Sequence, residues 1–402
     1  MYRPDEIVVN KDVLDDPITQ HILECCASVP VRIVKTNLSN DIIAASELLS
    51  SASSMADRIA AGKRVLALVT TVGDIDLFEM PDPRMGCPHF MKLVTASNGC
   101  PFRCSWCFLR GTYRARQPYM AVHVRYDKLL ERILCILRRS SETVLFNMGE
   151  LQDGLALEHL ICAAQTLIPF FGDLPNGRLF LLTKSDNVDA ILRLRHGGHT
   201  TVAWSLNAPE VSREFEIGAP SFEQRIRAAQ RVQEAGYPLR LRLDPIVPLP
   251  GWRELYASTI QEIFRRFTPE RITLGTLRFE EEWYRNRCKH LNPQSPGCRL
   301  LDEMAQMEPM LPPMEVPTGQ KDKQGRPKTK VSVGKHSYPE SLRVEIFRFA
   351  IDEIRRHFDG PIALCKETVP VWQAVGLDPH RCQCVCQYGR ADIVRQTTGD
   401  RR

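Results

Sequence analysis

From about residue 88 the chain repeats one pattern: an apolar run of strand length, a loop, then a stretch of helical length. The runs are Phe90–Thr95, Thr143–Met148, Arg178–Leu182, Thr201–Ser205, Leu239–Asp244 and Ile272–Leu277. Between them, helices are expected near Asp127–Arg139, Leu155–Leu167, Val188–Arg195, Phe222–Ala235 and Glu254–Phe267. Strands separated by helices do not form hairpins; they align in parallel through right-handed crossovers. The chain is therefore expected to be α/β, with reacting groups gathered at the carboxyl ends of the strands.

The loop after the first run reads Cys100-Pro-Phe-Arg-Cys104-Ser-Trp106-Cys107-Phe108. A CxxxCxxC spacing places three thiolates on three corners of a 4Fe–4S cube and leaves the fourth iron open. S-adenosylmethionine chelates such an iron through its amino and carboxylate groups, and an electron from the cluster then releases a 5′-deoxyadenosyl radical. Thiolates are the usual cluster ligands. A structural zinc site needs four ligands, and no fourth Cys or His follows Cys107 within a dozen residues.

The ends of the later runs carry Gly149 and Glu150, Thr183 and Lys184, Ser205 and Asn207, then Asp244-Pro245-Ile246. An acid, a cation and small polar groups at one rim suit a zwitterion. Glu150 is read as accepting from the methionine ammonium and Lys184 as pairing with its carboxylate. Trp106, Gly149, Glu150, Lys184 and Ser205 are the expected cofactor-binding residues, with Cys100, Cys104 and Cys107 as metal ligands.

Residues 1–85 read as a small α/β lead-in, with strands at Ile7–Val9 and Val31–Val34, helices near Ile18–Ala27 and Asp41–Ala61, and a hairpin joining Arg64–Thr70 to Ile75–Phe78. Cys25 and Cys26 are expected in the core. The repeat fills 86–290, a Pro- and Lys-rich mobile loop spans 291–338, and 339–402 holds a helix, a strand and a Cys-rich tail. Hydrophobic content of 43% and charged content of 25% are globular values. A net charge of +5 permits a nucleic-acid partner without requiring one. The first residues lack an apolar signal-peptide core, and 14 cysteines without a short regular framework suit reduced thiols. A cytoplasmic protein is expected.

The chain resembles the spore photoproduct lyase family of radical S-adenosylmethionine enzymes over most of its length. The stretches that carry the resemblance are Gly99 to Leu109, Leu182 to Asp189, Trp204 to Asn207, Phe215 to Phe222, Ala235 to Pro238, Asp244 to Ile246 and Gly251-Trp252. The resemblance implies a partial (β/α)6 barrel of the TIM type, a cluster on Cys100, Cys104 and Cys107, and cofactor contacts at Lys184 and Ser205. It also implies cleavage of a covalent thymine dimer in DNA, and a low-potential donor such as flavodoxin or ferredoxin. In that family a cysteine after the second strand returns a hydrogen atom to the product radical. Here Glu150 stands there, and a carboxylic O–H bond is too strong for that task. Gly149-Glu150 instead looks like the element that holds the methionine ammonium in many other radical enzymes. Trp106 and Phe108 replace the lyases' usual tyrosines, so no residue is assigned as hydrogen donor.

Cys365, Cys382, Cys384 and Cys386 form a candidate auxiliary metal or second-cluster set, against a free or redox-sensitive tail and against tail thiols as hydrogen donors. All ligands of the first cluster lie within 100–107, so the tail is expected to be separable from it. Arg278, Arg285, Arg287, Lys289 and His290, with Lys321 to Lys335 and nearby Tyr284 and Tyr338, suggest a phosphate-tracking groove. Two other functions fit the motif: a radical enzyme modifying RNA, a peptide or a small molecule, and a non-catalytic iron–sulfur redox sensor. A sensor needs no methionine clamp, which counts against it.

Overall fold

The computed structural model describes residues 1–78, 84–86, 90–110, 116–286, 291–313, 315–321, 326–331, 334–379 and 383–386. The six expected parallel strands lie side by side in one sheet: Phe90–Val94, Val144–Met148, Gly177–Thr183, Thr200–Leu206, Leu239–Ile246 and Arg271–Thr276. Strand Ile362–Leu364 continues the parallel ladder beyond Arg271–Thr276, and Asp74–Phe78 closes the other edge antiparallel to Phe90–Val94. The result is a partial barrel with helices on its outer face.

Strand Leu239–Ile246 shows how the sequence sets inside and outside. Leu239, Leu241 and Leu243 are buried in the core, while Arg240, Arg242 and Asp244 occupy the alternate positions that face the barrel interior. Helix Phe222–Glu234 packs on this strand and its neighbour. Ser221 and Gln224 cap the helix reciprocally, and Phe222, Ile226, Ala229 and Val232 form its buried stripe. Arg225 lies on that same stripe, a position that requires a buried partner.

A second sheet has the order Val31–Val34, Glu6–Asn10, Val65–Val69, Met120–His123, Ala96–Ser97, the last pair antiparallel. It takes strands from both sides of residue 85 and so embraces the cysteine loop. The expected hairpin does not form. Val65–Val69 is buried throughout and pairs parallel with Glu6–Asn10 and Met120–His123, whereas Asp74–Phe78 crosses to the barrel edge. The apolar Val65–Val69 run suits a central strand better than one arm of an exposed ribbon.

Other expectations shift. The stretch from Val188 to Arg195 forms successive turns with i→i+3 bonds, as in Ile191 N–H to Val188 O and Leu194 N–H to Ile191 O, rather than a helix. The single helix expected over Asp41–Ala61 is three: Ser39–Ala45, Glu47–Ser50 and Met55–Gly62, interrupted where Ser46 and Ser54 cap new starts. Cys26 is buried as expected, but Cys25 is exposed. The segment 291–338, expected as a loop, carries helix Pro296–Ala305, capped by Ser295 and burying Cys298, Leu301 and Met304. It also carries the antiparallel pair Glu315–Lys321 and Pro327–Val331.

Residues 383–386 run along the barrel interior. The Val385 N–H donates to Thr273 Oγ1 at 2.9 Å, and Arg240 Nη1 donates to Val385 O at 2.8 Å. Val385 is fully buried there. The tail is thus packed against the barrel, while the ligands expected for the first cluster all lie within 100–107. No helix among the described residues is long and apolar enough to cross a membrane.

Candidate functional site

The cysteine loop is held from both sheets. Asn98 takes a left-handed backbone, φ 56°, and its buried side-chain amide donates to Gln117 O at 2.7 Å. A Cβ at Gly99 would lie 2.5 Å from Ala96, so the tight turn before Cys100 requires glycine. Lys63, buried at the end of helix Met55–Gly62, donates its ammonium to the Cys100 carbonyl. On the barrel side, Arg103 N–H donates to Ile217 O and Ser105 N–H to Phe215 O, each at 2.8 Å. Trp106 packs against Phe215 with ring centroids 5.3 Å apart.

A cavity of about 260 Å³ opens between this loop and the strand ends. Cys100, Cys104, Cys107 and Trp106 line one side; Gly149, Glu150, Lys184 and Ser205 line the other. Every expected cluster and cofactor residue therefore faces one space. Glu150 is half-buried and makes no hydrogen bond or ion pair among the described residues. Gly149 has no room for a side chain: a Cβ would stand 2.4 Å from that of Leu182.

Lys184 is already engaged. Its Nζ donates to Ser205 Oγ at 2.6 Å and lies 3.5 Å from Glu216 Oε1. Glu216 is buried and also binds Arg225 at 2.6 Å and Ser212 Oγ at 2.9 Å. Burial alone pushes the Glu216 carboxyl up, but Lys184, Arg225 and the hydrogen bonds outweigh it, so its pKa falls below the ordinary value. An ammonium has three donors, so Lys184 keeps capacity for a ligand carboxylate beside Ser205.

Two residues not singled out from the sequence shape the rim. Gln152 accepts from Thr95 and Ala96 N–H and donates to Leu93 O, tying the second strand end to the first. Asp153 accepts from Thr183 Oγ1 at 2.6 Å and Lys184 N–H at 2.8 Å, and its own N–H donates to Gly99 O. The far wall holds Arg242, Asp244 and Lys366. The alternation Leu-Arg-Leu-Arg-Leu-Asp over 239–244 was the available signal for this charged wall.

Of the tail cysteines, Cys365, Cys384 and Cys386 are buried, and Cys382 lies outside the described residues. Arg242 and Arg278 donate to the Cys365 sulfur. Among the described residues no three His, Cys, Asp or Glu side chains converge to hold a single metal ion. The basic groove is only partly brought together. Arg278 turns inward to Asp244 at 3.1 Å, Arg285 pairs with Glu281 at 2.7 Å, and Tyr338 is buried. Arg287, Lys289 and His290 lie outside the described residues.

The cavity suits a three-thiolate cluster with an open iron. Among the described residues the only cysteines lining it are the three of the loop, and all are free of disulfides. Burial pushes the Cys100 thiol up to about 12, Lys63 pulling the other way, so ligation would displace protons.

The family described as spore photoproduct lyase matches residues 2–292. Spore photoproduct lyase of Geobacillus sp. is 31% identical over 194 residues, 48% of this chain and 56% of that protein. The Bacillus subtilis protein is 31% identical over 177 residues, 44% of this chain and 52% of that protein. The matches thus span about half the length of these curated relatives. A solved spore photoproduct lyase mutant superimposes with a TM-score of 0.71 at 22% identity, covering 90% of this chain and 99% of its own. The lyase complexed with dinucleoside spore photoproduct gives 0.68 at 22% identity, with the same coverage. A double mutant with bound AdoMet and that dinucleoside gives 0.66 at 22% identity, covering 90% and 98%. The fold is shared, all the cavity residues except Lys366 fall within the matched span, and the chain belongs to the spore photoproduct lyase family.

Proposed function

We propose that this chain is a radical S-adenosylmethionine enzyme with a 4Fe–4S cluster on Cys100, Cys104 and Cys107, acting on a thymine-dimer lesion in DNA. The observation that carries the reading is one cavity lined by three loop thiols and by Gly149, Glu150, Lys184 and Ser205. When bound, the reduced cluster would supply the electron that converts S-adenosylmethionine to a 5′-deoxyadenosyl radical. The protein's part is binding and shielding. Glu150, which makes no hydrogen bond or ion pair among the described residues, accepts from the ligand ammonium. Lys184, steadied by Ser205 and Glu216, meets the ligand carboxylate. Phe102, Trp106 and Leu109 give the cavity apolar walls that keep water from the reacting centre.

The lesion is favoured by family membership and by the dinucleoside bound to a protein of the same fold. A low-potential one-electron donor, of flavodoxin or ferredoxin type, would complete the system. Auxiliary metal in the tail is not part of the proposal, since guanidinium N–H groups already occupy the Cys365 sulfur.

The test is anaerobic reconstitution with iron, sulfide, reductant and S-adenosylmethionine, assayed against irradiated DNA and RNA. Cys104→Ala should lose 5′-deoxyadenosine formation. Cofactor cleavage by that variant at the wild-type rate would reject the cluster assignment, and turnover of RNA alone would move the substrate.

A further inference from the structure

The radical reading leaves one demand unmet by the cavity's lining. A carbon radical formed on the substrate must receive a hydrogen atom, and Glu150 offers either an ionised carboxylate without one or an O–H bond too strong to give it up. The S–H bond is among the weakest that ordinary side chains carry, and no tyrosine lines the cavity among the described residues. We propose that Cys365, which stands behind the lining and is bonded to its wall through Arg242, is the hydrogen-atom donor of this site.

Cys365 directly follows strand Ile362–Leu364, and its N–H donates to Leu274 O at 2.7 Å, extending the parallel ladder by one residue. The thiol thus stands at the carboxyl end of the last barrel strand, one residue before Lys366, which lines the cavity. Its sulfur accepts from Arg242 and, at 3.2 Å, from Arg278, and both guanidiniums pair with Asp244. Asp244 and Arg242 are themselves cavity walls. Gly275 makes the arrangement feasible: a Cβ there would lie 2.5 Å from the Asp244 carboxylate.

The surroundings also keep the hydrogen on sulfur. Arg242 and Arg278 are faced by Asp244, with Lys366 adding a further positive charge near the sulfur. Burial raises the Cys365 pKa, with Arg242 opposing. The residue lies beyond the span matched by the family, 2–292.

The step balances as one hydrogen atom transferred: the S–H bond breaks, a C–H bond forms, and a thiyl radical remains on Cys365. One electron from the low-potential donor that serves the cluster, with one proton from solvent, restores the thiol. Cys384 and Cys386, buried in the adjoining tail segment, are the competing thiols.

The proposal rests on the radical function, and the experiment separates the two. Reconstituted wild type, Cys365→Ala and Cys365→Ser are given dinucleoside spore photoproduct, S-adenosylmethionine and dithionite in D2O. Wild type should place solvent deuterium in the repaired dinucleoside. In both variants 5′-deoxyadenosine made per dinucleoside repaired should rise by about tenfold or more, and residual product should lack the label. A readout without turnover is the infrared S–H stretch of the cluster-free protein. The wild-type minus Cys365→Ala difference should show one S–H band at neutral pH. Absence of that band, or unchanged label and ratio in both variants, overturns the assignment. Loss of label confined to Cys384→Ala or Cys386→Ala also overturns it, moving the donor to the tail pair. Wild type that forms no 5′-deoxyadenosine refutes the radical function, and this inference with it.

Discussion

Glu216 joins the two halves of the site, and Glu216→Gln tests that directly. The carboxylate is 2% exposed and Arg225 is 1% exposed. Breaking a buried ion pair on one side typically costs about 3–5 kcal/mol, because the remaining charge keeps its desolvation penalty. Here Arg225 retains Pro220 O at 2.8 Å, Ser212 Oγ at 2.9 Å and Ser205 O at 3.2 Å, and the new amide still offers one acceptor. The loss should therefore lie at the lower end, about 3 kcal/mol, or roughly a hundredfold in the folding equilibrium. Urea unfolding of the cluster-free protein under reducing conditions, with the slope unchanged, measures it. The acid response has a defined sign. The folded-state carboxyl of Glu216 is depressed, so its contribution is present above the ordinary glutamate pKa and fades as pH falls through the lowered value. Glutamine has no such term, so the gap between the two proteins should shrink in acid. Because Phe215 and Ile217 carbonyls hold the cysteine loop, the variant should also retain less iron after reconstitution. A stability change below about 1 kcal/mol, or a gap that persists undiminished into acid, would refute the buried-triad argument.

Glu150→Gln should weaken S-adenosylmethionine binding about ten- to a hundredfold, the worth of one charge-assisted hydrogen bond of about 1.5–3 kcal/mol; titration followed in the cluster's spectrum decides, and unchanged affinity would leave Glu150 facing substrate instead. Lys63→Gln keeps a donor for the Cys100 carbonyl but removes a buried positive charge, so the cluster's midpoint potential should become more negative, read by anaerobic redox titration; Lys63→Arg should stay near wild type. Deleting residues 383–402 strips buried Val385 from the barrel interior and should cost at least about 1.5–3 kcal/mol, while iron bound through residues 100–107 remains. Thermal unfolding and iron analysis of the truncated chain test both halves, and an unchanged melt would mean the tail is not packed.

Local pattern was enough for much of this protein. Six apolar runs spaced by helical stretches imply parallel strands whatever the details of packing, because that linkage leaves few alternatives. The spacing of Cys100, Cys104 and Cys107 implies their chemistry because ligands within one short loop need no long-range fold to meet. The residues closing the strand runs, Gly149, Glu150, Lys184 and Ser205, were legible for the same topological reason. Partner choice was not. Val65–Val69 and Asp74–Phe78 look like a hairpin locally, and only the competing edges of two sheets send them apart. Lys184 reads as a free cation until Glu216, 32 positions later, arrives from another element. Arg242, Asp244, Arg278 and Cys365 acquire meaning only when three strands and Gly275 bring them together. Contacts between residues far apart in sequence depend on the free-energy balance of the whole packed barrel, and no local window contains it.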